Sequence, residues 1–150
     1  MPTHFTNALC PQVIYVFRVF DEDHKGCLKI GMTQLDGEAD ITQLPENCDI
    51  LRNLAEQRIN SYAGPMGVRF ELLHAECSLF WSAEKGLAAF DDHQVHDILK
   101  RSGVERKIFP YTEKAIEWYI TDLETVKNAI KSTLARVDNT RARYFFNKKI

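Results

Sequence analysis

The stretch Val13 to Thr33 reads V-I-Y-V-F-R-V-F-D-E-D-H-K-G-C-L-K-I-G-M-T and decides the fold expected for this chain. It opens with eight β-prone residues, Val13 to Phe20, and a second β-rich run follows at Cys27 to Met32. The polar segment D-E-D-H-K-G between the runs ends in glycine, so the stretch predicts an antiparallel hairpin. A loop of this length does not fix the register of the two strands, and the register decides which side chains share a face.

The chain as a whole predicts a folded domain. Its 150 residues are 45% hydrophobic, which is enough for a sizeable core. No apolar run approaches the ~18 residues of a membrane span, and the N-terminus lacks the apolar stretch of a secretion signal, so we expect a cytoplasmic protein. The four cysteines form no C-x-x-C pair and have no zinc-finger spacing, which favours buried or indifferent thiols.

Helices and further strands are predicted after the hairpin. The helices are expected at Asp49 to Tyr62, Asp91 to Arg101 and from Thr121 onward, and the strands at Val68 to Glu76 and Glu117 to Thr121. The predicted N-caps are Asp49, Asp91 and Thr121, the last two in capping boxes. Residues 34–48 and 77–90 are expected to be long loops. The order β-β-α-β-α-β-α, with mostly antiparallel strands, predicts an α+β fold in which helices flank a small central sheet.

Charge is distributed unevenly along the chain. The net formal charge is −2, but residues 1–100 carry −7 and residues 101–150 carry +5. The segment 136–149 is the most basic part and contains Arg141 and Arg143. Such a segment suits an anionic partner such as nucleic acid, and it equally suits a solvated tail.

Several side chains near these elements could act on a phosphate. Tyr15 stands in the first strand of the hairpin and Lys29 in the second, while Gly31 would let a substrate backbone approach. Asp92 and His96 form an i, i+4 pair on one face of a predicted helix. Each also has a plain structural reading, because strand tyrosines commonly pack in cores and a first-turn Asp complements the helix dipole.

Two segments resemble one known family. The pair I-Y-V and K-I-G-M-T is similar to the two-strand signature of the GIY-YIG nuclease superfamily, closest to a phage-derived branch whose second motif reads K-I-G-M-T. The segment D-D-H-Q-V-H, Asp91 to His96, resembles the D-x-x-V-H helix of that branch, and Glu117-Trp118-Tyr119 resembles its following E-W-F strand. The match spans residues 12–121. Residues 122–150 would form a C-terminal helix and a basic tail, which could lead to a further module.

The resemblance implies an endonuclease that hydrolyses DNA phosphodiester bonds with Mg²⁺ or Mn²⁺. Tyr15 would activate the attacking water, Lys29 and Arg58 would bind the scissile phosphate, and Asp92 would hold the metal. Lys29 replaces the second tyrosine of much of the superfamily, and Asp92 replaces the usual Glu. Both changes leave open a catalytically degenerate domain on the same fold that binds nucleic acid or another partner.

The remaining candidates have secondary roles in this interpretation. Arg52 is the runner-up to Arg58, and Glu117 is a second acidic candidate. His96 would contact phosphate or orient a ligand, or it would only fill the edge of the core. The basic segment with Arg141 and Arg143 would hold the DNA backbone without sequence preference. Relatives of this kind are often joined to helicase or restriction modules, so such a module is an expected partner.

Overall fold

The main sheet is built outward from the predicted hairpin. This computed structural model describes residues 12–34, 44–65, 67–82, 86–109, 116–139 and 145–146. The strands are β1 (Gln12–Val19), β2 (Cys27–Gln34), β3 (Phe70–Cys77), β4 (Leu79–Ser82), β5 (Gly86–Ala89), β6 (Glu105–Phe109), β7 (Ile116–Ile120) and β8 (Phe145–Phe146). The helices are α1 (Asp49–Ala63), α2 (Asp92–Arg101) and α3 (Leu123–Asn139). A five-stranded antiparallel sheet has the order β3-β1-β2-β7-β6, and β4, β5 and β8 form a second, three-stranded sheet. The predicted α+β class with a mainly antiparallel sheet is confirmed.

β1 is buried on both faces. Alternate residues of a strand point to opposite sides of the sheet. Val13, Tyr15 and Phe17 belong to one apolar cluster, whereas Ile14 and Val16 belong to another. The almost unbroken apolar run of the first strand is therefore the consequence of helices on both sides of the sheet.

Each apolar cluster is closed by different helices. α1 covers the side of Tyr15 through Leu51, Ala55 and Ile59. α2 and α3 cover the opposite side through residues that include Val95, Leu99, Val126 and Ile130. The core on that side thus joins α3 to the strands, so the predicted boundary at residue 121 does not separate two cores. Among the described helices, none has the length and apolar character needed to cross a bilayer.

The predicted start of α2 is confirmed in detail. The Asp91 carboxylate accepts a hydrogen bond from the Gln94 backbone N–H at 3.0 Å, and the Gln94 side-chain oxygen accepts the Asp91 N–H at 2.9 Å. The helix ends where Gly103 adopts a φ of +78°, and the Val104 N–H bonds to the Leu99 carbonyl. This is a Schellman-type stop, for which glycine is favoured because it has no Cβ.

The caps predicted for the other two helices are wrong. α1 has Cys48 as its N-cap, with no side-chain hydrogen bond, and Asp49 lies in the first turn. α3 begins at Leu123, and the Thr125 N–H donates to the Asp122 carboxylate at 2.8 Å, so Asp122 rather than Thr121 caps it. In the segment T-D-L-E both Thr and Asp are good caps, and the pattern alone does not choose between them.

The predicted element order misses several short strands. Residues 77–90, expected to be a loop, contain β4 and β5, and β6 follows α2 where no strand was predicted. Strands of four residues are too short to show a period. β6 lies at the edge of the main sheet and carries exposed charges at Glu105, Arg106 and Lys107, which is how edge strands avoid pairing with other chains.

The cysteines of the described residues form no disulfide bond. Cys27 is buried, and Cys48 and Cys77 are half-buried. Burial raises the pKa of the Cys27 thiol, so this side chain stays protonated and unreactive near neutral pH. The prediction of a buried thiol is confirmed for Cys27, and for Cys48 and Cys77 the prediction of indifferent thiols stays a prediction.

The cap of α3 makes the stability of the fold depend on pH. Hydrogen bonds from the backbone and side chain of Thr125 hold the pKa of Asp122 below its ordinary value. This stabilisation is therefore present above the ordinary carboxyl pKa and is lost as the pH falls through the lower folded value. We expect the difference in unfolding free energy between wild type and Asp122→Ser, which keeps a capping oxygen, to shrink between about pH 5 and pH 3. Urea unfolding at several pH values measures this free-energy difference. A difference that does not change with pH would contradict the role of the Asp122 carboxylate as the cap of α3.

Candidate functional site

Tyr15 and Gly31 form a close pair at the centre of the hairpin. The two residues lie directly opposite each other in the β1–β2 register, and the Tyr15 side chain is 2% exposed. A Cβ built on Gly31 would lie 2.6 Å from both Cζ and the hydroxyl oxygen of Tyr15. The room that the K-I-G glycine leaves is thus filled by the tyrosine ring, and not by a substrate backbone as expected.

Lys29 lies on the same face of the sheet as Tyr15. It stands opposite Phe17, two residues along β1 from Tyr15, and residues directly opposed in a sheet share a face. Its side chain is half-buried, and Nζ donates to the Ile30 carbonyl at 3.3 Å. The register therefore meets the condition under which Tyr15 and Lys29 can contribute to one site.

The two candidate arginines of α1 have different environments. Arg58 is exposed on the helix that packs over the Tyr15 face. Arg52 is half-buried, and its guanidinium donates to the Leu72 carbonyl at 2.9 Å and to the Asn47 side-chain oxygen at 3.3 Å. Arg52 thus fastens α1 to the edge strand β3, while Arg58 is the arginine that a phosphate in solvent can reach.

Asp92 and His96 lie on the other side of the sheet. α2 packs into the core opposite Tyr15, and His96 Nδ1 is 2.6 Å from the hydroxyl of Tyr119, which is fully buried in that core. Asp92 is half-buried in the first turn of α2. The sheet therefore lies between Asp92 and the other two candidates, Tyr15 and Arg58, so the three side chains that the resemblance assigns to one reaction do not meet in one cleft. A metal ion shared by Tyr15 and Asp92 does not fit this arrangement.

The remaining predicted residues have little or no described environment. The backbone of Glu117 pairs with Ile108 between β7 and β6, but its side chain lies outside the described parts. Arg141 and Arg143 also lie outside the described residues. Their expected roles stay predictions.

A second group of polar side chains lies at the edge of the main sheet, on β3. Glu46, His74 and Glu76 each offer a ligand atom, and these atoms lie within 4.8 Å of one another, so the group could hold a metal ion. His74 is 1% exposed, and its Nε2 is 2.7 Å from the Glu76 carboxylate. Glu46 is exposed in the segment that precedes α1. This group was missed in the sequence, because Glu46 is far from the other two along the chain.

A β-bulge directs His74 and Glu76 away from Tyr15. Phe17 pairs with Leu72 but Val16 pairs with His74, so Leu73 is an extra residue in β3. Such a bulge changes which side of the sheet the following residues face. His74 therefore lies on the same side as Val16, and Glu76, which pairs with Ile14, does too. The only sequence signal for this group is the pattern H-A-E at residues 74–76, because alternate residues of a strand point to the same side and could bring His74 and Glu76 together.

Comparison with known proteins identifies no relative. No family model matches the chain, and neither a curated protein nor a solved structure matches it. A function for this chain must therefore be proposed from its residues and their arrangement. That arrangement offers two separate places for chemistry, the Tyr15 face of the hairpin and the edge group around His74.

The contact between Tyr15 and Gly31 predicts a cost for any side chain at residue 31. We expect Gly31→Ala to lower the free energy of unfolding by about 1–3 kcal/mol, because the new methyl group overlaps the tyrosine ring. Urea denaturation monitored by circular dichroism gives this value. The same substitution in a Tyr15→Leu background is the control, and it should cost clearly less. An equal loss in both backgrounds would show that the Tyr15 ring is not what the methyl group meets.

Proposed function

We propose that this chain is a GIY-YIG-type endonuclease domain that hydrolyses DNA phosphodiester bonds. The observation that carries the proposal is the hairpin register, which puts Tyr15 and Lys29 on one face. The helix that carries the exposed Arg58 packs over that same face. The order of the I-Y-V and K-I-G-M-T motifs, with Arg58 after them, supports the same interpretation.

Each of the three side chains has a role in this reaction. Water attacks phosphorus and gives a proton to the phenolate form of Tyr15, while the leaving oxygen departs with the electrons of the broken P–O bond and takes a proton from solvent. Because a tyrosine of ordinary pKa, ~10, is a poor base near neutral pH, it needs nearby positive charge, which Lys29 supplies from the same face. The planar fork of Arg58 would bind two phosphate oxygens and offset the charge that develops on them.

A metal ion is the part of the family pattern that this arrangement does not supply. The resemblance implies Mg²⁺ or Mn²⁺, but Asp92 lies on the far side of the sheet from Tyr15. No chemical step is therefore assigned to an ion, and both ions are included in the assay below. DNA is the proposed partner, with a helicase or restriction module as the proposed companion of the domain.

A second candidate function is nucleic-acid binding without catalysis. It is favoured by the burial of Tyr15, which is only 2% exposed, and by the position of Asp92 across the sheet. A tyrosine in that state belongs to the same buried cluster as Leu51 and Ile59 and supports the fold, as any core aromatic does. In this case Arg58 and the basic C-terminal segment would bind the DNA backbone without cleaving it.

Plasmid nicking with Mg²⁺ or Mn²⁺ separates the two candidates. We expect Tyr15→Phe and Arg58→Ala each to lower the cleavage rate by about 10²-fold or more, as loss of a general base or of an oxyanion contact does. The matched control is Arg101→Ala, since Arg101 is an exposed helix arginine whose ion pair with Asp97, at 3.2 Å, contributes little. This control should cleave within about twofold of wild type, and circular dichroism should show all variants folded.

The other outcomes of this assay also decide. Equal cleavage by wild type, Tyr15→Phe and Arg58→Ala would exclude the proposed catalytic roles. No cleavage by any folded variant, together with DNA binding that Arg58→Ala weakens and Arg101→Ala does not, would establish the second candidate. Loss of cleavage in Asp92→Asn to the level of Tyr15→Phe would show that Asp92 acts with Tyr15 despite the sheet between them.

A further inference from the structure

We propose that Glu46, His74 and Glu76 form a weak site for a divalent ion of the Mn²⁺ or Zn²⁺ class, and that the orientation of Asn47 keeps its affinity low. His74 and Glu76 lie on the side of the sheet away from Tyr15, and Glu46 lies beside them at the edge of β3. The group therefore does not depend on the proposed nuclease function.

Asn47 is held in one orientation. It adopts a φ of +62°, a left-handed conformation that Asn tolerates better than most residues, and its N–H donates to the Ala75 carbonyl at 2.7 Å. Its side-chain oxygen accepts the Ala75 N–H at 2.9 Å and the Arg52 guanidinium at 3.3 Å. Both partners are donors and need an acceptor, so the amide oxygen must face them and the amide nitrogen must face His74.

This orientation fixes where His74 carries its proton. The Asn47 amide nitrogen is 3.1 Å from His74 Nδ1, and an amide NH₂ only donates, so Nδ1 accepts. A neutral ring then has its proton on Nε2, which donates to the Glu76 carboxylate at 2.7 Å. Both ring nitrogens and the amide are thereby satisfied in the buried part of the group.

The same orientation opposes a metal ion at His74. An ion binds a nitrogen lone pair, and a neutral ring bound through Nε2 carries its proton on Nδ1, where it needs an acceptor. Asn47 presents a donor there instead. Binding would bring two N–H groups face to face, or would turn the amide and break its bond with Ala75. The wild-type chain therefore favours the hydrogen-bonded form and binds an ion weakly.

The ligand types indicate which ions fit. One imidazole and two carboxylates suit ions that accept both nitrogen and oxygen, such as Mn²⁺ and Zn²⁺, whereas Mg²⁺ prefers oxygen ligands and water. An ion bound by Glu46 and His74 would link the segment before α1 to the edge of β3. Because it binds the folded chain, such an ion would also raise the melting temperature.

The experiment replaces Asn47, which presents a hydrogen-bond donor to His74 Nδ1, by Asp, which presents an acceptor. In Asn47→Asp one carboxylate oxygen still accepts from Ala75 and Arg52, and the other can accept the His74 Nδ1–H. We expect this variant to bind Mn²⁺ about tenfold or more tightly than wild type, as partners of ligating histidines typically contribute. Mn²⁺ is the probe because the neighbouring Cys48 thiol prefers softer ions. Free Mn²⁺ is counted by electron paramagnetic resonance during titration.

Control variants separate the site from general charge attraction. Asn53→Asp adds the same charge at an exposed position of α1 and should leave Mn²⁺ affinity near the wild-type value. Glu46→Gln and Glu76→Gln, each added to Asn47→Asp, should abolish the gain, and Glu46 is exposed enough that its substitution should not disturb folding. Equal affinity of Asn47→Asp and wild type, an equal gain in Asn53→Asp, or a gain that survives both Gln substitutions would overturn the proposal.

Discussion

The burial of β1 on both faces is the constraint on which the rest of the structure depends. A strand with apolar residues at successive positions needs cover on both sides, and here α1 supplies one side and α2 with α3 the other. The sheet therefore separates two sets of buried side chains. Tyr15 and Val16 are neighbours in sequence, yet Tyr15 lies in the cluster covered by α1 and Val16 in the cluster covered by α2 and α3. Any site in this fold must be assembled on one side of the sheet or at its edge.

What the sequence predicts well is what short-range chemistry determines. The hairpin and α2 follow from local signals, including a capping box at Asp91 and a glycine stop at Gly103, and both are found. The α+β class follows from the order of those elements. The strands β4, β5 and β6 were missed because runs of four or five residues carry too little pattern to show a period.

The candidate sites show the same division at the level of side chains. The sequence could place Tyr15, Lys29 and Gly31 on one hairpin, and only the register could show that they share a face. It could not show that the Tyr15 ring fills the space above Gly31. The edge group was harder still, since a single bulge at Leu73 decides which side His74 faces, and no local pattern in β3 marks that bulge.

The separation of Asp92 from Tyr15 explains how a motif can be found in order and yet not build the expected site. A motif on a helix specifies the face of that helix, because its i, i+4 spacing is local. The side of the sheet on which the helix packs is set instead by its apolar stripe and by the connections that lead to it. In α2 the apolar residues Val95 and Leu99 pack on the side of β1 that carries Ile14 and Val16. His96 therefore lies on that side too, where it contacts Tyr119. Motif order along the chain therefore constrains which elements exist, whereas convergence of their side chains depends on packing that the motifs do not encode.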